Sequence, residues 1–152
     1  MSIERTCAFT GHRDIEEQID MHFFGECVQK LIDSGFDTFL CGMARGFDLI
    51  AGELVAKLKE RNPHVKLIAC IPCLEQEKYY FNGEKEKYNR VLSACDEVRV
   101  ISERYYKGCM LTRDRYMVDN SSLLFAYQRK REGGTYYTLT YAQSKKKKIM
   151  II

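Results

Sequence analysis

What most constrains this chain is an alternation of short β-like runs with amphipathic helical stretches, kept up from one end to the other. The runs are Thr6–Phe9, Thr38–Cys41, Val65–Ile71, Val98–Ile101, Leu123–Tyr127 and Ile149–Ile152. Between the first two, Phe24, Cys27, Val28, Leu31 and Ile32 recur at helical spacing, and Ser34-Gly35 closes that helix. Phe47, Ile50, Ala51, Leu54, Val55 and Leu58 form the clearest stripe of all, stopped by Asn62-Pro63. The segment from Glu75 to Ala94 reads as mostly helical, with Tyr88, Val91 and Leu92 turned inward. A short helix is expected through Met110–Val118 and a last one over Thr135–Lys146. Such alternation calls for a parallel sheet covered by helices, and right-handed crossovers make it doubly wound. The expected architecture is an α/β, Rossmann-like, mostly parallel sheet with helices on both faces, one domain over residues 1–152.

Size and charge agree with that reading. At 152 residues the chain is about one domain long and can bury roughly two-thirds of its unfolded surface. The net charge of +3 is concentrated in Lys145–Lys148, which reads as a solvated helix end; elsewhere acids and bases interleave, so a nucleic-acid partner is not demanded. No apolar run approaches the ~18–20 residues of a membrane span. Seven cysteines, without a secretory signal at the start, suggest reduced thiols and a cytoplasmic location. Cys70-Ile71-Pro72-Cys73 ends a strand rather than opening a helix and lacks a second ligand pair. Packed free thiols are therefore expected and no metal site.

In a doubly wound sheet, ligands bind beyond the carboxyl ends of the strands, where the strand order reverses. Three unusual loops follow strands: Thr10-Gly11-His12-Arg13, Gly42-Met43-Ala44-Arg45-Gly46, and Gly133-Gly134-Thr135. Parallel strands put all three on one edge. Glycine there lets backbone N–H groups approach phosphate oxygens, and a helix N-terminus favours the negative charge. Thr135 offers a hydroxyl or an N-cap, Arg13 a phosphate partner, and His12 an acid, a base or a local hydrogen bond. Asp48 either caps its helix or holds a ribose hydroxyl; Glu53, further along, reads as a solvated helix face. Tyr79-Tyr80, Tyr105-Tyr106 and Tyr136-Tyr137 can stack on a base or pack at the rim. Neither GxxxxGK[ST] nor GxGxxG occurs, so ATPase and dinucleotide-dehydrogenase readings lack their motif.

Taken in order, "FTGHR", "CGMARGFDLIAGELV", "IPCLEQ", "GCMLTRDRYMVDNSSLLFAY" and "GGTYYTLTYA" resemble the YpsA-like family of the SLOG superfamily of Rossmann-like proteins. The resemblance runs from Thr6 to Ile152. Met110-x-x-Arg113-x-x-x-Met117 is similar to the MxxRKxxM stretch of the Lonely Guy phosphoribohydrolases and puts Arg113 at their catalytic arginine. Their next element, PGGxGTxxE, carries a glutamate needed for N-glycosidic cleavage; aligned on its threonine, Thr138 stands at that place here. A threonine hydroxyl is a poor substitute for the carboxylate that handles water or an oxocarbenium charge. Gly42 to Asp48 also resembles the GxARGxD loop of DprA proteins, which bind single-stranded DNA.

The resemblance implies a nucleotide-binding domain that takes a nucleotide, NAD-derived or ADP-ribose-like ligand as a sensor or regulator, with binding favoured over catalysis. Thr10, Gly11, His12, Arg13, Gly42, Ala44, Gly46, Asp48, Arg113, Gly133, Gly134 and Thr135 are its expected ligand-binding residues. Arg113 is the catalytic candidate if the chain is hydrolytic. The alternatives are phosphoribohydrolase cleavage of nucleoside monophosphates and single-stranded DNA binding. Relatives often form homodimers, so a homo-oligomer is implied as well.

Overall fold

Side chains on each strand point alternately to the two faces of the sheet, and this sequence loads both faces with apolar groups. In the computed structural model, which describes residues 2–81 and 83–152, the strands are β1 (Thr6–Gly11), β2 (Thr38–Cys41), β3 (Lys66–Ile71), β4 (Glu97–Val100), β5 (Leu123–Tyr127) and β6 (Lys148–Ile151). The helices are α1 (Met21–Asp33), α2 (Phe47–Lys59), α3 (Glu84–Ala94), α4 (Cys109–Asp119) and α5 (Gly133–Ser144). Cys7, Phe9, Phe39, Leu67 and Phe125 face one side, and pack there with Phe24, Val28, Leu54, Val55 and Val91 of α1, α2 and α3. Ala8, Leu40, Ile68, Leu124 and Ala126 face the other, against Met117, Val118, Leu139 and Ala142 of α4 and α5.

All five strand pairings are parallel, and the order is β4-β3-β2-β1-β5-β6. The chain steps outward from β1 to β4 under α1, α2 and α3. It then returns through α4 on the opposite face to lay β5 beside β1. The order therefore reverses between β1 and β5, where loops leaving the two strands diverge to opposite faces and open a crevice. Thr10 pairs with Ala126 and Gly11 with Tyr127, so these two strands end level with each other at its mouth.

The expected strands Thr38–Cys41 and Leu123–Tyr127 have those bounds; the others shift by one or two residues. One helix differs more. The stretch expected to be mostly helical from Glu75 is a short 3-10 turn at Gln76–Tyr79, and α3 starts only at Glu84, after Gly83 with φ +82°. Tyr88 and Val91 are buried as expected, with Leu92 half-buried against the same core. All seven cysteines are unpaired, and burial pushes the Cys70 thiol up to about 12. Among the described residues, no helix is long and apolar enough to cross a membrane.

Candidate functional site

The crevice between β1 and β5 is a cavity of about 470 Å³, within the size range of small-molecule sites. It is lined by Thr10, Gly11, His12 and Arg13 after β1, by Ala44 and Asp48 around the start of α2, by Arg113 on α4, and by Gly133, Gly134 and Thr135 on α5. These are ten of the twelve residues singled out from the sequence. Gly42 and Gly46 stand behind the wall. A Cβ at Gly42 would come within 2.8 Å of Asp48 Oδ2 and 2.9 Å of Arg113 Nη1. Gly46, at φ +84°, lets its loop close on the backbone oxygens of His12 and Arg13, and Phe47 N–H donates to His12 O at 3.1 Å. Gly11 is small for a different reason than ligand approach, since a Cβ there would strike the Phe47 ring.

A buried charge cluster forms the floor. Arg113, 3% exposed, donates through Nη1 to the Gly42 carbonyl and through Nε to Asp114 Oδ1 at 2.6 Å. Asp48, 6% exposed, accepts the Ala44 N–H at 3.3 Å, so it ties the preceding loop rather than capping α2. Burial pushes Asp48 up to about 7, against the pull of the Arg113 guanidinium. Arg113 stays charged, because Asp114 and Asp48 raise it further against its own burial. Met43, with a left-handed φ of 63°, carries strain of about 1–2 kcal/mol. Hydrogen bonds around it hold that conformation: Tyr80 Oη donates to Met43 O at 3.1 Å, and Gln76 Nε2 to Gly42 O at 3.2 Å.

The opposite wall is the N-terminus of α5. Its flanking residue Glu132 gives no side-chain cap, and Gly133, Gly134 and Thr135, whose N–H groups open the helix at the positive end of its dipole, line the cavity. Thr135 is the third residue of α5, not its cap, and is buried at the cavity wall. Gly133 sits at φ +84°, where glycine is favoured. Gly134 has no such φ, and a Cβ there would meet nothing within 4 Å. Nothing in the fold requires glycine at 134.

His12 Nε2 accepts the Arg129 N–H at 2.8 Å and the Lys130 N–H at 3.3 Å, so the ring fastens the β1 loop to the β5 loop. Burial, then Lys130 and Arg129, lowers its pKa and keeps it the neutral acceptor this requires. Arg13 Nη2 lies 2.7 Å from the Met110 thioether, a weak acceptor, and among the described residues Arg13 makes no ion pair. Arg45, by contrast, pairs with Asp14 at 2.8 Å. Glu53 pairs with Lys87 and Arg90 of α3 and lies outside the cavity lining.

Sequence reasoning missed Asp114, which lines the cavity and has a visible signal, its place directly after Arg113. Lys130, Glu132 and Met110 were also missed, since only the tertiary fold brings them to the rim. Thr138 is buried, and its hydroxyl lies 2.7 Å from Gly134 O, to which it donates, and 3.2 Å from Asp114 Oδ2. Among the described residues no group of three or more His, Cys, Asp or Glu is placed to hold a metal ion.

Comparison with known proteins places this geometry in a family. The model of the YspA SLOG family matches residues 7–151. A UPF0398 protein of Halalkalibacterium halodurans is 34% identical over 125 residues, covering 80% of this chain and 66% of that protein. The UPF0398 protein YpsA of Bacillus subtilis is 28% identical over 155 residues, covering 93% and 86%. Among solved structures, DNA processing protein A from Helicobacter pylori, described with a single-stranded DNA binding mode, superposes with a TM-score of 0.69 at 19% identity. That match covers 99% of this chain and 65% of that one. DNA processing protein A from Streptococcus pneumoniae gives 0.64 at 18% identity, covering 96% and 49%. The chain thus spans about two-thirds of the first relative's length, and at these identities the two structures share its fold.

Proposed function

The chain belongs to the YspA SLOG family, and we propose that it binds a nucleotide or nucleotide-derived ligand by its phosphate, as a cytoplasmic sensor or regulator without efficient hydrolysis. The observation that carries this reading is the opening of α5. An uncapped helix N-terminus lines a ligand-sized cavity, with a glycine at 134 that the fold does not need and, across the way, an Arg13 that makes no ion pair among the described residues. Backbone N–H groups, helix dipole and guanidinium together suit a phosphate. Asp48 and the backbone beside it would then face the sugar. Calorimetry and thermal-shift measurements with AMP, ADP-ribose and NAD test the reading. At least one is expected to give saturable heat and a raised Tm; no response to any of them defeats it.

Two further readings each have one observation in their favour. For glycosidic cleavage it is Asp48, a buried carboxyl poised near neutrality, where general acid–base groups work best. Against it, Thr138 is held in a hydrogen bond within its own helix, and Arg113 is held by Asp114 and Gly42. Free base released from AMP, GMP or CMP on incubation would support cleavage. For single-stranded DNA it is the likeness to the Helicobacter pylori protein. The lysine run gives this reading no help, because it follows the far end of α5, about 18 Å from the cavity at ~1.5 Å per residue. DNA binding predicts oligonucleotide affinity that falls steeply with salt.

A further inference from the structure

A second hollow opens on the same edge of the sheet. The loops that follow β3 and β4 enclose a cavity of about 730 Å³, between the 3-10 turn at Gln76–Tyr79 and the approach to α4. Tyr79 and Tyr105 line it at 79% and 70% exposure, with Leu74 also exposed beside them. Rings this open contribute little to the core and present faces on which a planar group can stack. Met110 lines both cavities, and Arg13 rests its guanidinium on the Met110 sulfur, so the cation stands at the waist between them.

The two cavities differ in chemistry in a way that identifies an elongated ligand. The first sets the α5 N-terminus, Arg13, Arg113 and Lys130 among the carboxyls of Asp14, Asp48, Asp114 and Glu132, but among its lining residues has no Phe, Tyr or Trp ring. The second has the rings, while its charged lining residues balance: Glu75 and Glu103 against Lys78 and Arg104. A balanced rim suits an uncharged terminal ring better than the next phosphate of a continuing strand. We propose that, given the phosphate site above, the protein's ligand is a phosphate-bridged dinucleoside. One nucleoside phosphate occupies the β1–β5 crevice, the bridge lies against Arg13, and the second base stacks in the hollow of Tyr79 and Tyr105.

Calorimetry with AMP, ADP, diadenosine diphosphate and their guanosine counterparts tests this, since a symmetric dinucleoside can enter in either direction. One dinucleoside is expected to bind at least about tenfold more tightly than its mononucleotide, the usual worth of a stacked base. Tyr79→Ala/Tyr105→Ala should remove that gain and leave mononucleotide affinity within about twofold; both side chains are exposed, so the fold should survive, with a small effect at most. Dinucleosides binding no better than mononucleotides, or a variant that weakens both alike, overturns the inference and leaves the phosphate site standing. No binding of any of these compounds removes both. Short oligothymidylate binding that depends on the two tyrosines, with dinucleosides unaffected, overturns it in favour of a strand.

Discussion

Burial of Asp48 against Arg113 should make stability fall across neutral pH. In the unfolded chain the carboxyl titrates near 3.8, in the native protein at about 7. Between these values the native state binds the extra proton, so the group's stabilising contribution is complete below 3.8 and is lost as pH rises through 7. At about 1.4 kcal/mol per unit, the shift of about three units makes ionised Asp48 cost the fold about 4 kcal/mol above pH 7. Of this, nearly 3 kcal/mol should develop between pH 5 and 8 by the same slope. Of the groups around it, Arg113 stays charged through that window and burial holds the Tyr80 hydroxyl above it; His12, lowered by burial and by Lys130 and Arg129, is common to both proteins compared. Asp48→Asn keeps the shape and can still accept the Ala44 N–H. The check is urea unfolding of both proteins at pH 5, 6, 7 and 8. The stability of the variant relative to the parent should climb by roughly 2–3 kcal/mol over that range and then level off. A difference constant within about 0.5 kcal/mol, comparable to the error of such extrapolations, would refute the reasoning. It would mean that attraction to Arg113 outweighs burial and that Asp48 is an ordinary carboxylate. On the proposed function the same proton matters to the ligand, since neutral Asp48 removes a negative charge from the floor and phosphate affinity should rise as pH drops through 7.

Three further outcomes follow from particular contacts. Gly134→Ala should raise stability by about 0.5–1 kcal/mol, because the added Cβ meets nothing and alanine favours the helix. The same change should weaken the nucleotides that bind the parent protein; calorimetry showing unchanged affinity would place the ligand elsewhere. Arg113→Ala should cost about 3–5 kcal/mol in urea unfolding by leaving Asp114 without its buried partner, and a loss under ~1 kcal/mol, the size of an exposed pair, would show the cluster to be solvated. Proton NMR should find His12 titrating below 6.5, its hydrogen bonds to the β5 loop intact above that value and lost as pH falls through the native midpoint. A midpoint at or above 6.5 would mean the clamp is not made.

Much of this was legible because two periodicities carry it. Runs such as Leu123–Tyr127 and stripes such as Phe47 to Leu58 define strand and helix locally, and their alternation leaves few topologies open. Ten of the site candidates reach one cavity because parallel strands must end on one edge. What was not legible depends on distance in space. The strand order that reverses between β1 and β5 is absent from any local pattern, and so is the break at Gly83 that divides the segment after β3. The glycines look alike in sequence yet have separate causes: Gly42 admits Asp48 and Arg113, Gly46 admits a neighbouring backbone, and Gly134 admits nothing in the protein. In sequence His12 stands open as an acid, a base or a local hydrogen-bonding group, and only its acceptor bonds to Arg129 and Lys130 decide for the last.

The place of Thr138 bears most directly on whether a bound nucleotide is held or cut. Cleavage of a glycosidic bond needs a carboxyl free to meet water or the sugar, and a cation free to balance the leaving charge. Here the hydroxyl at 138 donates to Gly134 O within its own helix, and the neighbouring carboxyl, Asp114, is taken up by Arg113. The arginine in turn is anchored on the Gly42 carbonyl, in a loop already held by Gln76 and Tyr80. Freeing any one of these groups leaves another buried and unpaired, which costs several kcal/mol for a charge. On the proposed function, an internally satisfied floor facing the uncapped N-terminus of α5 would keep an anion in place rather than act on it. Thr138→Glu alone therefore should not create a hydrolase. The new carboxylate would lie against Asp114, lowering stability in urea unfolding and releasing no free base from nucleoside monophosphates. Release of base by that variant would show the floor to be far more yielding than its hydrogen bonds indicate.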